Sequence, residues 1–381
     1  NRDHVYISDT AELARFCTRA SSARVVSVDT EFIRERSYYP ELCLIQLGTA
    51  SECVSIDPIL IDDLRPLEAL LTNERIIKVL HACSQDLEVI QNTMGCVVSP
   101  VFDTQLAAAF LGLRQQIGYG ALVETYTGVH LPKAESLTDW SRRPLNPEQL
   151  RYAEDDVRYL PGIYDSMMAQ LTEKDRLSWV RPEMDELTDP TRFAHVPERA
   201  YLHLKRASSL TRKQLACARE VCAWRERLAA KRDIPRRWVI SDEILLEVCK
   251  RTPHSVKRLR AIRGIANIGE RDAEDIVKAV ARGAACDPAD YPKKTHHERP
   301  PQEMEGVLDL MYAMLRVVSE KSGVAPQLIA TKDDLLDFAS GRRESKLRTS
   351  TWRFDLVGRQ LEELLSGKVG LTVVNGHIEL L

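Results

Sequence analysis

The sequence predicts an α/β layer fold in the first half of the chain and helical structure in the second half. Short β-branched and apolar runs alternate with amphipathic helical segments as far as about residue 164. Beyond that point the pattern is helical, and two stretches rich in proline and charge, residues 181–200 and 283–301, are expected to be linkers. The length of 381 residues is enough for two or three domains, each with its own core.

The predicted elements of the first half are short. Strands are expected at residues 5–7, 25–32, 43–48, 53–56 and 76–80, with a helix from Thr10 to about Ala20. Residues 49–51 make a connection short enough for an antiparallel hairpin. A helix that bears Asp86 follows the strand at 76–80, and Asp103 is placed as the N-cap of an alanine-rich helix.

Two helical blocks follow residue 210, and their parts come in the same order. Each has a long amphipathic helix, a short turn and a further helix, at residues 211–231 and 241–250 in the first block and at 301–320 and 331–339 in the second. We interpret them as diverged copies of one module, closed by a short apolar tail at 371–374. The predicted domains are therefore residues 1–190, 199–285 and 300–381.

The composition argues against several classes of protein. No apolar run approaches the roughly 20 residues that a membrane helix needs, and the first residues do not resemble a signal peptide. Nine cysteines, an odd number without a Cys-x-x-Cys pair, argue against a disulfide framework and a zinc ribbon. We expect buried, reduced thiols at Cys17, Cys43, Cys53 and Cys83, and hence a cytoplasmic protein.

The net charge of −3 conceals a division between the two halves. Residues 1–192 hold 19 Lys and Arg against 30 Asp and Glu, a net −11, whereas residues 193–381 hold 34 against 26, a net +8. Within the second half, residues 199–282 alone hold 21 basic and 10 acidic residues, a net +11. An acidic body joined to a basic module suggests a catalytic domain with a phosphate-binding arm. The alternative is a solvated helical surface.

Two acids lie one residue apart on the predicted strand at 25–32, at Asp29 and Glu31. Side chains two apart share one face of a strand, so the two carboxylates point the same way. Burying them together is unfavourable unless a cation or hydrogen bonds compensate. Mg²⁺ or Mn²⁺ is the cation best matched to clustered carboxylate oxygens. A buried salt-bridged pair is the alternative, although the nearest basic residue in the flanking sequence is Arg34.

A second set of candidates lies on predicted helices. Tyr152 and Asp156 are four residues apart, which places them on one helix face. Asp86 begins another helix and, taken alone, fits an N-cap or a surface acid. An acid pair on a strand with an acid and a tyrosine on a helix makes a metal site plausible, but spacing alone does not show that these stretches converge.

Three ordered motifs resemble the DEDD exonuclease superfamily, in the subclass that has tyrosine in its third motif. They are Val-Asp-Thr-Glu-Phe at 28–32, the helix start that follows His81 and contains Asp86, and Tyr-x₃-Asp at 152–156. The intervening sequence is similar to the ribonuclease D family in particular, at residues 39–47, 102–104, 118–122 and 137–145. The two helical blocks resemble the modules named for the C-termini of helicases and ribonuclease D.

The resemblance implies a ribonuclease H-like exonuclease domain, with a mixed sheet flanked by helices, followed by two small all-α domains. It further implies a 3′→5′ exoribonuclease that trims precursor tRNA and other small structured RNA and releases 5′-mononucleotides. By the resemblance, Asp29, Glu31, Asp86 and Asp156 hold two divalent metal ions, Mg²⁺ or Mn²⁺. Tyr152 would orient the attacking water, because a phenol with an ordinary pKa near 10 is a poor free base. We expect a monomer.

Several neighbouring residues have less functional interpretations. Asp155 is adjacent to the third motif, but the motif spacing selects Asp156 and turns Asp155 elsewhere. His81 is expected to be structural, at the end of a strand. Tyr119 and Trp140 are expected to pack rather than to stack on bases.

Contacts to RNA are expected from aromatic and basic side chains near these motifs and in the basic block. The candidates are Phe32, Tyr38, Tyr39, Lys133, Arg142, Arg236 and Arg237. Basic residues surround Trp224 and Trp238, a pattern that suits single-stranded or structured RNA, although at least one of the two tryptophans must be core.

Two functions of other kinds remain open from the sequence. One is a related exonuclease that acts on DNA, as in polymerase proofreading or editing linked to a helicase. The other is a non-catalytic RNA-binding protein with a degenerate nuclease fold. The presence of all five motif residues disfavours the second, and the absence of a polymerase-length extension disfavours proofreading.

Overall fold

The computed structural model describes residues 4–132, 139–293 and 302–381. Within these ranges the chain forms two compact units, which are described separately. The first unit holds the residues up to Glu31, those from Leu42 to Pro190 and those from 302 onward. The second unit holds Phe32–Glu41 and the residues from Thr191 to 293.

A six-stranded mixed sheet forms the centre of the first unit, in the order β1-β4-β3-β2-β5-β6. The strands are β1 (His4–Ile7), β2 (Val25–Ile33), β3 (Glu41–Gly48), β4 (Cys53–Ile56), β5 (Ile77–Leu80) and β6 (Val101–Asp103). Three pairs, β1 with β4, β2 with β5 and β5 with β6, are parallel. The β3–β4 pair is antiparallel and is joined through Thr49, as the short connection predicted.

The nuclease part contains several helices, three of which begin at a side-chain N-cap. They are α1 (Thr10–Ala20), α2 (Arg65–Leu71), α3 (Ser84–Met94), α4 (Thr104–Phe110), α5 (Tyr119–Thr127), α6 (Pro147–Arg158), α7 (Leu160–Glu173) and α8 (Leu177–Leu187). Asp103 caps α4, as predicted, by accepting from the backbone N–H groups of Gln105 and Leu106. Asn146 caps α6 in a reciprocal box with Gln149, and Pro147 occupies the first turn.

The linker predicted at residues 181–200 is wrong over its first part, because α8 continues to Leu187 with Pro182 inside it. Val180 and Met184 are buried in the core of the first unit, and this apolar face outweighs the helix-breaking tendency of the proline. Short 3₁₀ turns follow at Pro190–Phe193 and Pro197–His203.

The second helical block belongs to the same compact unit as the nuclease sheet. Its helices are α14 (Gln302–Ser322), α15 (Pro326–Ile329), α16 (Lys332–Ala339), α17 (Lys346–Thr349), α18 (Thr351–Arg353) and α19 (Arg359–Leu365), with a π-helical turn between the last two. Met311, Phe338 and Trp352 share one hydrophobic cluster with Phe110 and Met167 of the nuclease helices. This block is therefore part of the nuclease core.

The predicted apolar tail at 371–374 is the first strand of a two-stranded antiparallel hairpin, which the helical pattern did not indicate. Its strands are β7 (Leu371–Val374) and β8 (His377–Leu380). The turn between them consists of Asn375 and Gly376, which both have positive φ. An Asn-Gly pair is the sequence signal of a tight hairpin.

The second unit contains the first helical block. Its helices are α9 (Arg212–Arg232), α10 (Arg236–Val239), α11 (Asp242–Arg251), α12 (Val256–Arg260) and α13 (Glu270–Ala284), so the predicted start of the second linker at 283 still lies in a helix. A Cβ on Gly283 would meet the Cα of Cys217 at 2.4 Å. Only glycine therefore allows α13 to approach α9 this closely.

All nine cysteines are reduced, and eight of them are buried, including Cys17, Cys43, Cys53 and Cys83 as predicted. None of the helices in the described parts of the chain has the length and hydropathy needed to cross a membrane.

Candidate metal centre

Carboxylate oxygens of Asp29, Glu31 and Asp156 lie within 4.8 Å of one another. The first two come from β2 and the third from α6. The structure thus brings together the strand acids and the helix acid of the predicted site, which the sequence spacing did not establish.

A buried hydroxyl fixes α6 against the sheet. The Ser27 Oγ of β2 is within hydrogen-bond distance of the carbonyl oxygens of Val157, at 2.7 Å, and Gly48, at 3.1 Å. A Cβ on Gly48 would lie 2.4 Å from this Oγ, so glycine leaves the space for the contact. Because Val157 directly follows Asp156, this contact sets the distance between the two halves of the acid cluster.

The fourth predicted ligand, Asp86, lies in the first turn of α3 and is buried. It is not part of the group within 4.8 Å. The Thr30 hydroxyl, which lies between Asp29 and Glu31 on β2, donates a hydrogen bond to the Asp86 carboxylate. Asp86 is close enough for its charge to raise the pKa of Asp29, Glu31 and Asp156.

The four carboxyl groups have raised pKa values. Burial, and then the charges of neighbouring acids, raise the pKa of Glu31 to about 8 and that of Asp29 well above its ordinary range. Burial and the Asp155 charge raise the pKa of Asp156 to about 8. Burial raises the pKa of Asp86 to about 6, and hydrogen bonds from Thr30 oppose the rise. Such a cluster is stabilised by protons or by cations.

The donor set fits a hard divalent cation. All the converging ligand atoms are carboxylate oxygens, and oxygen ligands with several negative charges are what Mg²⁺ and Mn²⁺ prefer. Burial and the charges of neighbouring acids dominate the pKa shifts of these carboxyl groups. A metal centre explains why the fold holds these acids together.

Tyr152 lies one helical turn before Asp156 on α6, and the two side chains are hydrogen-bonded. Its side chain is 37% exposed, and its ring lies 6.0 Å from that of Trp140. Burial and the charges of Asp156, Glu31 and Asp29 raise the pKa of the Tyr152 phenol above its ordinary value. A neutral phenol is a weak base, and its hydroxyl is able to form a hydrogen bond with a water molecule.

The neighbouring acid, Asp155, stands outside the group of converging carboxylates. Its backbone carbonyl accepts a hydrogen bond from the Tyr119 hydroxyl at 2.6 Å. Burial raises the pKa of the Asp155 carboxyl, and Arg151 opposes this effect. The structure thus places Asp156, the acid that the motif spacing selects, at the cluster.

The structural interpretation of three neighbouring residues is confirmed. The His81 ring nitrogens are each 2.9 Å from a partner, the Thr104 hydroxyl and the Ile117 carbonyl, and burial lowers the pKa of the ring. Trp140 is buried, and Tyr119 packs against the hydrophobic core with its hydroxyl bonded to the backbone.

Arg143 is a positioning residue that the sequence did not reveal. Its guanidinium donates to the carboxylate of Asp57 and to the carbonyl oxygens of Trp140 and Cys43, both at 2.7 Å. Burial alone would raise the pKa of Asp57, but hydrogen bonds from Arg143 and Tyr6 outweigh it and lower the pKa. The arginine thereby ties the loop that carries Trp140 to the sheet. In sequence it is one of two adjacent arginines, and nothing local distinguishes it.

The structure describes one of the two candidate RNA contacts in the nuclease part, Arg142. Arg142 is exposed and pairs with Asp139 at 3.3 Å. Lys133 lies outside the residues that the structure describes.

In the second unit, most of the basic residues around the tryptophans already have acidic partners. Arg225 pairs with Asp242, Arg227 with Glu198, Arg232 with Asp272 and Arg236 with Glu226. Arg237 and Lys231 are exposed. Trp224 is buried in the core and Trp238 is 58% exposed, so the expectation that one tryptophan is core is confirmed. Much of the positive charge in this block is therefore balanced locally.

The remaining candidates, Phe32, Tyr38 and Tyr39, belong to the second unit and not to the unit that holds the acid cluster. The Phe32 ring lies 5.2 Å from the guanidinium carbon of Arg34. Tyr38 and Tyr39 contact each other edge to face, with ring centroids 4.8 Å apart.

Comparison with known proteins agrees with this geometry. Residues 4–172 match the family described as 3′-5′ exonuclease, and residues 214–280 match the HRDC domain. The ribonuclease D of Nitrobacter hamburgensis is 39% identical over 98% of this chain and 98% of its own length. That of Sphingobium indicum is 37% identical over 99% of this chain and 98% of its own length.

A solved structure gives the same result. The crystal structure of Escherichia coli RNase D, described as an exoribonuclease involved in structured RNA processing, matches with a TM-score of 0.83 and 30% identity. The match covers 96% of this chain and 99% of that chain. The chain belongs to the ribonuclease D family, because these relatives match it over nearly its whole length and share its mixed sheet flanked by helices.

Proposed function

We propose that the chain shortens RNA from its 3′ end by metal-dependent hydrolysis of the terminal phosphodiester and releases nucleoside 5′-monophosphates. The chain is a 3′→5′ exoribonuclease by its family. The observation that supports the mechanism is the convergence of Asp29, Glu31 and Asp156 within 4.8 Å, with pKa values raised by burial and mutual repulsion.

Asp29, Glu31, Asp86 and Asp156 are the proposed ligands of two divalent ions, Mg²⁺ or Mn²⁺. When bound, such ions would supply an activated water at neutral pH and neutralise charge on the leaving oxygen. Asp86 is the outlying member of the set, and its carboxylate accepts a hydrogen bond from the Thr30 hydroxyl.

Tyr152 is proposed to orient the attacking water. Its phenol is neutral and hydrogen-bonded to Asp156, so it can hold a water beside the acid cluster without being a ligand. Trp140 packs against the Tyr152 ring, and Arg143 holds the Trp140 carbonyl. This chain of contacts restricts where the phenol can point.

The proposed substrates are precursor tRNA and other small structured RNA with a short 3′ tail. The Escherichia coli relative is an exoribonuclease involved in structured RNA processing, and the basic composition of residues 199–282 suits a polyanionic partner. The proposed domains along the sequence are residues 1–190, 199–285 and 300–381, of which the last packs with the first in one compact unit. We propose a monomeric, cytoplasmic enzyme, in keeping with its nine reduced cysteines.

Contacts to RNA are proposed in the nuclease part and, separately, in the second unit. The candidates remain Phe32, Tyr38, Tyr39, Lys133, Arg142, Arg236 and Arg237. Exposed aromatic rings and unpaired basic side chains are the groups that bind single-stranded RNA. Arg237 meets this condition better than Arg236, because Arg236 lies 3.2 Å from the Glu226 carboxylate.

The proposal is tested with matched RNA and DNA oligonucleotides that carry a different label at each end. We expect RNA to lose its 3′ label as mononucleotides in the presence of Mg²⁺ or Mn²⁺, and the reaction to stop with EDTA. Asp29→Asn serves as the inactive control, because it removes one carboxylate from the cluster. Release of the 5′ label first, or digestion that EDTA does not slow, would contradict the mechanism. Faster digestion of DNA than of RNA would favour the alternative of a DNA exonuclease.

A further inference from the structure

Three rings of the second unit form an aromatic cluster, hereafter the Tyr39 cluster: Tyr38, Tyr39 and His195. Ring centroids are 4.8 Å apart for the two tyrosines, and each tyrosine lies within 5.6 Å of His195. The three interplanar angles are 89°, 52° and 83°, so none of these contacts is a parallel stack. Tyr39 is 40% exposed and His195 is exposed.

Two acids, Glu226 within α9 and Asp233 at its C-cap, bind the two tyrosines of this cluster. The Tyr38 hydroxyl donates to the Glu226 carboxylate at 2.6 Å. The backbone N–H groups of Tyr38 and Tyr39 donate to the Asp233 carboxylate at 3.1 and 3.4 Å. Tyr38 is therefore hydrogen-bonded through both its side chain and its backbone, and Tyr39 is hydrogen-bonded through its backbone.

Both acids occupy constrained positions in the fold. Glu226 is buried, and its second oxygen lies 3.2 Å from the Arg236 guanidinium. Asp233 ends α9 with a φ of 47°, in the left-handed region that aspartate tolerates better than most residues. The segment that contains Tyr38 and Tyr39 is thus bound by a buried carboxylate, Glu226, and by a residue with left-handed backbone conformation, Asp233.

The three rings differ in their exposure to solvent. Tyr38, whose hydroxyl is hydrogen-bonded to Glu226, is partly buried. Tyr39 and His195 beside it are exposed to solvent. Exposed aromatic side chains, in a unit whose residues 199–282 carry a net +11, match the arrangement that stacks unpaired bases and attracts their phosphates.

We infer that Tyr39 and His195 form a stacking site for an unpaired base of the RNA, and that Glu226 and Asp233 position it through Tyr38. The inference rests on the proposed function, because it assumes that RNA is the substrate. It adds His195 to the binding residues and separates Tyr38, a positioning residue, from Tyr39, which touches the base.

The first experiment measures binding without hydrolysis, with the full chain in EDTA and an unstructured RNA oligonucleotide that contains 2-aminopurine. Base stacking contributes about 1–3 kcal/mol per base, so Tyr39→Ala and His195→Ala should each weaken binding roughly tenfold. Both should also reduce the quenching of 2-aminopurine fluorescence, whereas Tyr39→Phe should retain affinity and quenching. His203→Ala is the matched control, because His203 is an exposed histidine of the same unit outside the cluster.

The second experiment separates base stacking from damage to the fold. A nitrophenyl ester of a mononucleotide carries a cleavable phosphodiester but no further nucleotides. Tyr39→Ala should raise KM for RNA oligonucleotides by a larger factor than KM for the ester, at an unchanged melting temperature. Glu226→Ala should raise KM in the same way, and Glu226→Gln, which keeps an acceptor for Tyr38, should restore it.

The results distinguish the two proposals. Unchanged affinity and quenching in both Tyr39→Ala and His195→Ala would overturn the stacking site. Loss of ester hydrolysis together with a lower melting temperature in these variants would also overturn the stacking site, because the cluster would then be only structural. If the wild-type chain hydrolyses neither RNA nor the ester, the proposed function fails, while the binding and quenching measurements still decide the stacking site.

Discussion

Both terminal nitrogens of Arg353, in the last helical block, donate hydrogen bonds to the carboxylate of Glu183 on α8, at 2.6 and 3.1 Å. The indole N–H of Trp352 donates to the same carboxylate at 3.1 Å. Its ring packs against Phe110 and stacks on Trp179. One acid of the nuclease part therefore organises two adjacent residues of the C-terminal block within a largely buried contact.

Replacing Glu183 with alanine should destabilise the protein. Arg353 would remain buried without its partner, and loss of one member of a buried ion pair costs about 3–5 kcal/mol. Urea unfolding measures the change in the free energy of unfolding. Asp355→Ala is the control, because its pair with Arg359 is exposed on both sides and should contribute less than about 1 kcal/mol. Equal effects of the two substitutions would contradict this account.

Removing residues 302–381 should abolish stable folding of the nuclease part. Met311, Phe338 and Trp352 are buried in one cluster with Phe110 and Met167, and the truncation would expose that surface. We expect aggregation, or a melt without cooperativity, in calorimetry of the truncated chain. A soluble, cooperatively folded and active product would show that this block is an accessory module after all.

The register of the third motif can be tested at adjacent positions. Asp156→Asn removes a carboxylate from the converging group, whereas Asp155→Asn leaves that group intact. Substitutions beside a metal's ligands cost about 10–100-fold, so loss of a ligand charge should lower kcat by more than about 100-fold. Asp155→Asn should lower it by less than about tenfold. RNA hydrolysis under saturating Mg²⁺ compares the two, and similar losses would assign the wrong acid to the site.

Tyr152→Phe tests whether the phenol orients water or acts as a base. General base catalysis contributes roughly 10²–10⁴-fold, so an orienting hydroxyl should account for less, about 10–100-fold in kcat. Mn²⁺ affinity, measured by calorimetry, should not change because the phenol is not a proposed ligand. A shift in the pH–rate profile together with a loss above about 10³-fold would instead assign the base to Tyr152.

Metal binding should stabilise the protein more at high pH than at low pH. Burial and mutual repulsion raise the pKa of Glu31 and Asp156 to about 8, so between about pH 4 and 8 the metal-free folded state binds more protons than the unfolded chain. The contribution of these two groups to the free energy of unfolding of the metal-free protein therefore falls as the pH rises. A divalent cation compensates the ionised carboxylates.

We expect the gain in melting temperature on adding Mg²⁺ or Mn²⁺ to be small near pH 5.5 and larger near pH 8.5. Asp29→Asn should reduce both the loss of stability at high pH and the gain from metal. A gain from metal that does not depend on pH would show that the cluster is not the binding site.

Much of the fold could be read locally because it rests on signals within a few residues. The boundaries of α1 and β4 match the predicted ones, and Asp103 caps α4 as its position indicated. Capping, two-residue alternation and short turns depend on neighbouring residues in the chain, so the sequence alone determines them. The Asp-x-Glu and Tyr-x₃-Asp motifs are local in the same sense.

The remaining features depend on residues that are distant in the chain. Convergence of β2 with α6 needs the contact from Ser27 to Val157, and the role of Arg143 needs Asp57. The helical pattern of residues 302–381 predicts helices, but it does not say that their apolar faces complete the nuclease core. Periodicity identifies which face of a helix is apolar and leaves its partner open. Only the tertiary structure decides that partner, because packing joins surfaces that no local signal connects.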